Sequence, residues 1–230
     1  AEARANKAKL SFTGEFAPVK PKFIGRRVFK NIDLSLIANY IDWSPYFQTW
    51  DLAGSYPAIL TDKVVGEAAT KVFNEAQVML KKIIDGRWLT ANGVIALMPA
   101  NTVNDDDIEI YTDETRNQVA FTYYGMRQQT VKPVIDGVPR PNQCLADFVA
   151  PTAQIGEPKV DDYVGLFAVT AGLGMEKRLA QFEAAHDDYS AIMFKSLADR
   201  LAEAFAEYMH ERIRTDFWGY ANHEKLDADA

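Results

Sequence analysis

The stretch GVIALMPANTVNDDDIEIYTDETRNQVAFTYY at residues 93–124 decides the fold class. Residues 93–98 (GVIALM) form a short continuous apolar run ended by Pro99, the mark of a buried strand. DIEIY at 107–111 alternates polar and apolar, as a half-buried strand does. QVAFTYY at 118–124 fits a further strand, and the polar turn TDETRN joins the two. Upstream, residues 61–85 read as an amphipathic helix, with Val65, Ala68, Val72, Ala76, Met79 and Ile83 recurring at spacings of three and four, and Gly86 as its stop. Downstream, YVGLFAVT at 163–170 is another strand, closed by the Gly172–Gly174 stretch. The last third is helical: one helix over 176–187 and a longer one over 190–217. Phe194, Leu197, Leu201, Phe205, Tyr208 and Ile213 trace the apolar face of the longer helix, while Asp199, Glu203, Glu207, Glu211 and Arg214 share another. A helix, a block of strands and then helices predict an α+β fold with a mainly antiparallel twisted sheet and flanking helices.

Residues 33–40 (DLSLIANY) form a short helix with Asp33 as N-cap. IDWSPYFQTW at 41–50 is dense in aromatics that read as core. Residues 131–143, with three prolines and one glycine, form a surface loop. Residues 1–23 have no sustained apolar period and carry Pro18 and Pro21, so residues 1–24 read as a linker and 25–230 as the domain.

Composition narrows the function classes. Of 230 residues, 48% are apolar, including 13 Phe, 10 Tyr and 4 Trp, enough for a sizeable core and too many for a disordered chain. The net charge of −7 disfavours a nucleic-acid surface. It is unevenly spread: residues 1–30 hold eight Lys/Arg against Glu2 and Glu15, a balance of +6 that leaves −13 on the rest. A solvated tether is the expected reading of this basic leader, with docking onto its own domain or a partner as the alternative. The single cysteine, Cys144, forms no internal disulfide and suggests a reducing, cytoplasmic setting. No apolar run reaches the ~18 residues of a membrane span. The chain opens on Ala, which reads as a piece of a longer polypeptide.

The common catalytic and cofactor signatures are missing. There is no GxGxxG, P-loop, CxxC or HExxH. His186, Asp187 and Asp188 could ligate a metal for hydrolysis, but hydrogen bonding and helix capping around 187–190 are the expected roles. The run Asp105-Asp106-Asp107 reads as an exposed acidic turn. The acids Asp199, Glu203 and Glu207 at spacings of four repel one another mildly, which invites a cationic partner.

Longer words in the sequence go further. NYIDWSPYFQTWDLAGSYP at 39–57, VVGEAATKVFNEAQVML at 64–80, LMPANTVNDDDIEIYTDETR at 97–116 and MRQQT at 126–130 occur in order. NQCLADFVAP at 142–151, DYVGLFAVTAGLG at 162–174 and the stretch from Phe182 to Ala221 continue the series. Together they resemble the activation domain of cobalamin-dependent methionine synthase. The resemblance implies a module that binds S-adenosylmethionine over a neighbouring cobalamin-binding module and reactivates oxidised Co(II) by reductive methylation. The electron would come from flavodoxin or an equivalent flavoprotein reductase. The whole enzyme would be a methyltetrahydrofolate–homocysteine methyltransferase of methionine biosynthesis, with zinc only in a distant module, and this piece alone is not expected to be catalytic. Residue by residue, Asp42 in YIDW matches an acid that contacts the ligand's amino group. Glu203 in LAEAFAEY matches an acid at the ligand site. Asp199 in LADRL matches an acid facing the cobalamin module, a candidate partner for the histidine that leaves cobalt. The family's Arg-Pro-Ala-Pro-Gly-Tyr-Pro segment, which holds most of the ligand, does not occur before Ala230, so a partial ligand site and some uncovered apolar surface are expected. The alternative expectation is a docking module for the cobalamin domain and flavodoxin that holds no ligand.

Overall fold

A computed structural model describes residues 2–135, 137–152 and 159–224. In chain order the elements are α1 (Glu2–Ala5), β1 (Gly25–Ile32), α2 (Leu34–Ile37), α3 (Ser44–Gln48), α4 (Gly66–Asp85), β2 (Thr90–Val103), β3 (Asp107–Tyr111) and β4 (Val119–Tyr124). Then come β5 (Val134–Ile135), β6 (Val138–Pro139), β7 (Asp162–Leu173), α5 (Met175–Ala184) and α6 (Asp188–Arg212), with a π-helical turn over Ile213–Phe217. Strands β1, β2, β3 and β4 are neighbours in that order and β7 pairs with β2. The β2–β3 and β3–β4 ladders are antiparallel, so the expected α+β class with an antiparallel sheet holds.

The chain divides into two compact units: Ala1–Arg26, Ala96–Leu166 and Arg214–Asn222 form one, and Arg27–Ile95, Phe167–Ile213 and His223–Ala230 the other. The first unit, with the β3–β4 hairpin, buries Ala100, Ile108, Ile110, Cys144, Ala146 and Val149 together. The second, with the helices, buries Ile37, Tyr46, Phe47, Ile83, Phe194, Leu197, Leu201 and Phe205. Each large apolar side chain so buried contributes roughly 1.5–3 kcal/mol against solvent exposure.

Several local expectations are met and several are corrected. Asp33 caps α2, its Oδ1 accepting from Ser35 N at 2.9 Å. Strand β2 does not stop at Pro99 but runs through it to Val103. Its register with β3 begins at Ala100↔Ile110, so that ladder never asks for the N–H that Pro99 lacks. Helix α4 begins at Gly66, later than expected, because a 3-10 turn occupies Ala58–Thr61 and Asp62 Oδ1 accepts from Val64 N and Val65 N. A Cβ on Gly66 would lie 3.0 Å from Leu60 O, a close contact that glycine avoids where the helix starts against the turn. In the first half of α4 it is Ala69 rather than Ala68 that is buried, Val72 and Phe73 are both half-buried, and Phe73 meets the Trp43 ring edge-on at 4.9 Å. Within residues 41–50, Trp43, Tyr46 and Phe47 are buried as core, as expected.

The basic leader is no free tether. Arg4 Nε lies 2.5 Å from Asp106 Oδ2, Lys7 pairs with Asp105, and Lys20 Nζ lies 2.6 Å from Glu114. Asn6 Nδ2 donates to Asn142 Oδ1 at 2.8 Å, and Asn142 N donates back to Asn6 O at 2.8 Å. Trp218 Nε1 donates to Val19 O at 2.6 Å.

The acidic run is the clearest correction. Asp106 is buried, because Arg127 lies between it and Asp147. Arg127 donates to Asp106 Oδ1 at 2.8 Å and to both oxygens of Asp147 at 2.7 Å, and further to the carbonyls of Asn142 and Asp105. Gly125 is part of this arrangement: a Cβ there would stand 2.1 Å from Asp106 O. Burial alone would raise the carboxyls of Asp106 and Asp147, but their arginine partners outweigh it and hold both below the ordinary value.

Candidate functional site

The second unit carries the three acids singled out from the sequence. Asp42 lies in the loop just before α3, exposed, with Oδ1 accepting from Ser44 N at 2.9 Å. That bond fixes the carboxylate through a turn of the Asx kind, and Oδ2 has no hydrogen bond among the described residues. The chain around Asp42 is pinned to α6 at two places. Tyr40 OH donates to Glu211 Oε2 at 2.6 Å and its ring meets that of Tyr208 edge-on at 5.4 Å. Nine residues on, Thr49 Oγ1 lies 3.3 Å from Ser196 Oγ. The segment therefore runs along α6 from its last turns back to Ser196, and the stretch of helix between those contacts carries Asp199 and Glu203. Burial and the Glu211 carboxylate push the Tyr40 phenol up to about 12, so it stays a donor across the physiological range.

The cation that the acidic stripe invites is on α6 itself. Arg200 donates through Nη1 to Glu203 Oε2 at 2.6 Å and through Nη2 to Glu203 Oε1 at 2.8 Å and to Asp199 Oδ2 at 2.7 Å. Its side chain is 8% exposed, whereas those of Asp199 and Glu203 are 68% and 63% exposed. Burial alone would lower the guanidinium, yet its bonds to Asp199 and Glu203 hold it above its ordinary value. Reading one face at a time hid Arg200. It stands one position after Asp199, off the acidic stripe, but a long side chain three residues before Glu203 reaches across. No hydrogen bond to Glu207 is found among the described residues.

The other sequence candidates resolve as structural groups. Asp187 is the N-cap of α6, its Oδ1 accepting from Ser190 N at 3.0 Å, and this bond lowers its carboxyl below the ordinary value. His186 is exposed with a φ of 52° in the turn ahead of the helix. Among the described residues no group of three or more His, Cys, Asp or Glu could hold a metal ion. No helix among them is long and apolar enough to cross a membrane.

Chemically, Asp199 and Glu203 offer carboxylates facing solvent on α6, and Asp42 offers a turn-held carboxylate in the loop before α3. Such a surface holds a cationic group by charge-assisted hydrogen bonds and orients it. The family model for the activation domain of vitamin B12-dependent methionine synthase matches residues 33–230. In three dimensions the chain is similar to the crystal structure of the MetH reactivation domain bound to AdoHcy, with a TM-score of 0.87 and 46% identity. The match covers 99% of this chain and 66% of that one, so the chain spans a little under two thirds of the solved domain's length. With a match from residue 33 onward and a shared fold at this level of identity, the chain belongs to the activation-domain family of vitamin B12-dependent methionine synthases.

Proposed function

We propose that the chain binds S-adenosylmethionine as the reactivation module of a cobalamin-dependent methionine synthase, with Asp42 and Glu203 at the ligand and Asp199 towards the cobalamin-holding module. The observation that carries this reading is the 46% identity, over 99% of the chain, to a reactivation domain bound to AdoHcy. AdoHcy is S-adenosylmethionine without its sulfonium methyl, so a pocket for one is a pocket for the other apart from that group and its charge.

The residues fit a cationic, amino-acid-bearing ligand. The Asp42 carboxylate is held by Ser44 N through one oxygen, which leaves the other to accept from an ammonium at little cost in side-chain freedom. Glu203, clamped by Arg200, presents a second fixed negative edge. The bound ligand would supply a transferable methyl, for cobalamin held by the neighbouring module and reduced by one electron from flavodoxin or an equivalent flavoprotein reductase. What this chain contributes is position: a methyl transfer in line with its acceptor needs orientation, and neither a base nor a nucleophile from the protein. Methylation of homocysteine by the full methyltransferase, and its distant zinc module, lie outside the residues present.

Calorimetric titration of the chain with S-adenosylmethionine, beside an Asp42→Ala variant, tests this. Saturable binding by the parent, weakened ~10-fold or more in the variant through loss of a charge-assisted bond, is the expected result. A parent chain that is folded by circular dichroism yet takes up no ligand would overturn it, and would leave the surface as a docking face for the cobalamin module and flavodoxin.

A further inference from the structure

We infer that Arg200 is a positioning and specificity residue of this site: by holding Asp199 and Glu203 in one fork and cancelling half of their charge, it moderates the preference for a sulfonium over a neutral thioether. The inference rests on the ligand reading above. Three hydrogen bonds of 2.6–2.8 Å join one guanidinium to three carboxylate oxygens, two on Glu203 and one on Asp199. The planar fork of arginine suits this arrangement, and a lysine ammonium cannot reproduce it. Arg200 is nearly buried while both acids face solvent, so the cation sits behind the carboxylates and a ligand meets the anionic edge first.

The charge count has a consequence. Two carboxylates alone would present −2; with Arg200 the trio presents −1. S-adenosylmethionine and S-adenosylhomocysteine share an ammonium, a carboxylate and an adenosine, and differ in one methyl and one positive charge on sulfur. The ratio of their affinities therefore reads how strongly the site pulls on that charge, while packing losses act on both ligands alike. A reactivation site has to release the thioether after methyl transfer and still admit the sulfonium, and an acid pair at reduced charge serves both.

The test is titration of both ligands into the parent, Arg200→Gln, Arg200→Lys and Glu203→Gln chains. In Arg200→Gln the affinity ratio of sulfonium to thioether should rise by roughly 3- to 10-fold at low salt and shrink towards the parent ratio as salt screens the charges. In Arg200→Lys, which keeps the charge and loses the fork, the ratio should stay near that of the parent while both affinities fall. In Glu203→Gln the ratio should drop. Because both acids are largely exposed, removing Arg200 strands no buried charge, and circular dichroism checks the fold. Should the Gln variant fail to fold, Glu203→Gln reads the same charge from the other side. A purely structural role for Arg200 predicts equal losses for both ligands and an unchanged ratio. That result, with a parent that binds, overturns the inference and leaves the ligand site standing. A parent that binds neither ligand overturns both.

Discussion

Each unit of the molecule holds an arginine between two carboxylates, and the two arrangements differ in what faces water. Around Arg127 everything is inside: the guanidinium side chain is 1% exposed, Asp147 2% and Asp106 11%. Around Arg200 only the cation is covered, and its two acids stand in solvent. Taking a charge out of water is costly, so a buried trio persists only when its groups are well paired, as the guanidinium of Arg127 is by its bonds to Asp106, Asp147 and two backbone carbonyls. An exposed pair gains little stability, because water already solvates it. The same three groups are thus a buried clamp in one place and, in the function proposed above, a binding edge in the other.

Breaking the buried clamp should produce the largest effect. Arg127→Met leaves Asp147 buried without its counter-charge and Asp106 with Arg4 alone, and should cost about 3–5 kcal/mol, read as a lowered urea midpoint. If the loss is under ~1 kcal/mol, the clamp is no more than a surface pair and the contrast fails. The clamp should also set the acid limb of stability. Asp106 and Asp147 lie below the ordinary 3.8 in the folded chain, so their contribution is full above that value and drains away as pH falls through their folded pKa values. Asp162, pushed up by burial, works the other way: the folding preference of its protonated form is lost as pH rises through its raised pKa. Urea midpoints from about pH 6 to about pH 2 should therefore fall at the acid end in the parent and fall less in Arg127→Met. Next in size, Asp187→Ala removes the N-cap of α6 and should cost about 1 kcal/mol in thermal or urea unfolding, without touching either arginine. Smallest of all, Arg200→Gln should cost less than ~1 kcal/mol. A loss comparable with that of Arg127→Met would make Arg200 a structural clamp as well.

The contrast also separates what was legible in the sequence from what was not. Periodicity placed α4 and α6, alternation placed β3, an apolar and aromatic run joined to it by a polar turn placed β4, and acids ahead of apolar runs pointed to the caps at Asp33 and around residues 187–190, since each is a local rule acting over a few residues. Strand β1 escaped because GRRVFKNI breaks alternation with charges, as an end strand in the strand order can afford to do. Asp106 escaped because its partner Arg127 is 21 positions away, and no local pattern encodes that pairing. Arg200 was within reach of the sequence, three residues before Glu203, but reading helix faces one at a time set it aside. The positions of Asp42, Glu203 and Asp199 came from family resemblance. Their environments, a turn-held carboxylate beside α6 and a forked pair, emerge only when residues 40–49 are seen to run along the helix.

The most direct test of the binding edge is amide chemical-shift mapping of the nitrogen-labelled chain as S-adenosylmethionine is added. The largest shifts should fall on residues 40–50 and on α6 around Asp199, Arg200 and Glu203, with the amides near Arg127 and Asp147 still. Shifts centred on Arg127 and Asp147, with α6 unmoved, would contradict it.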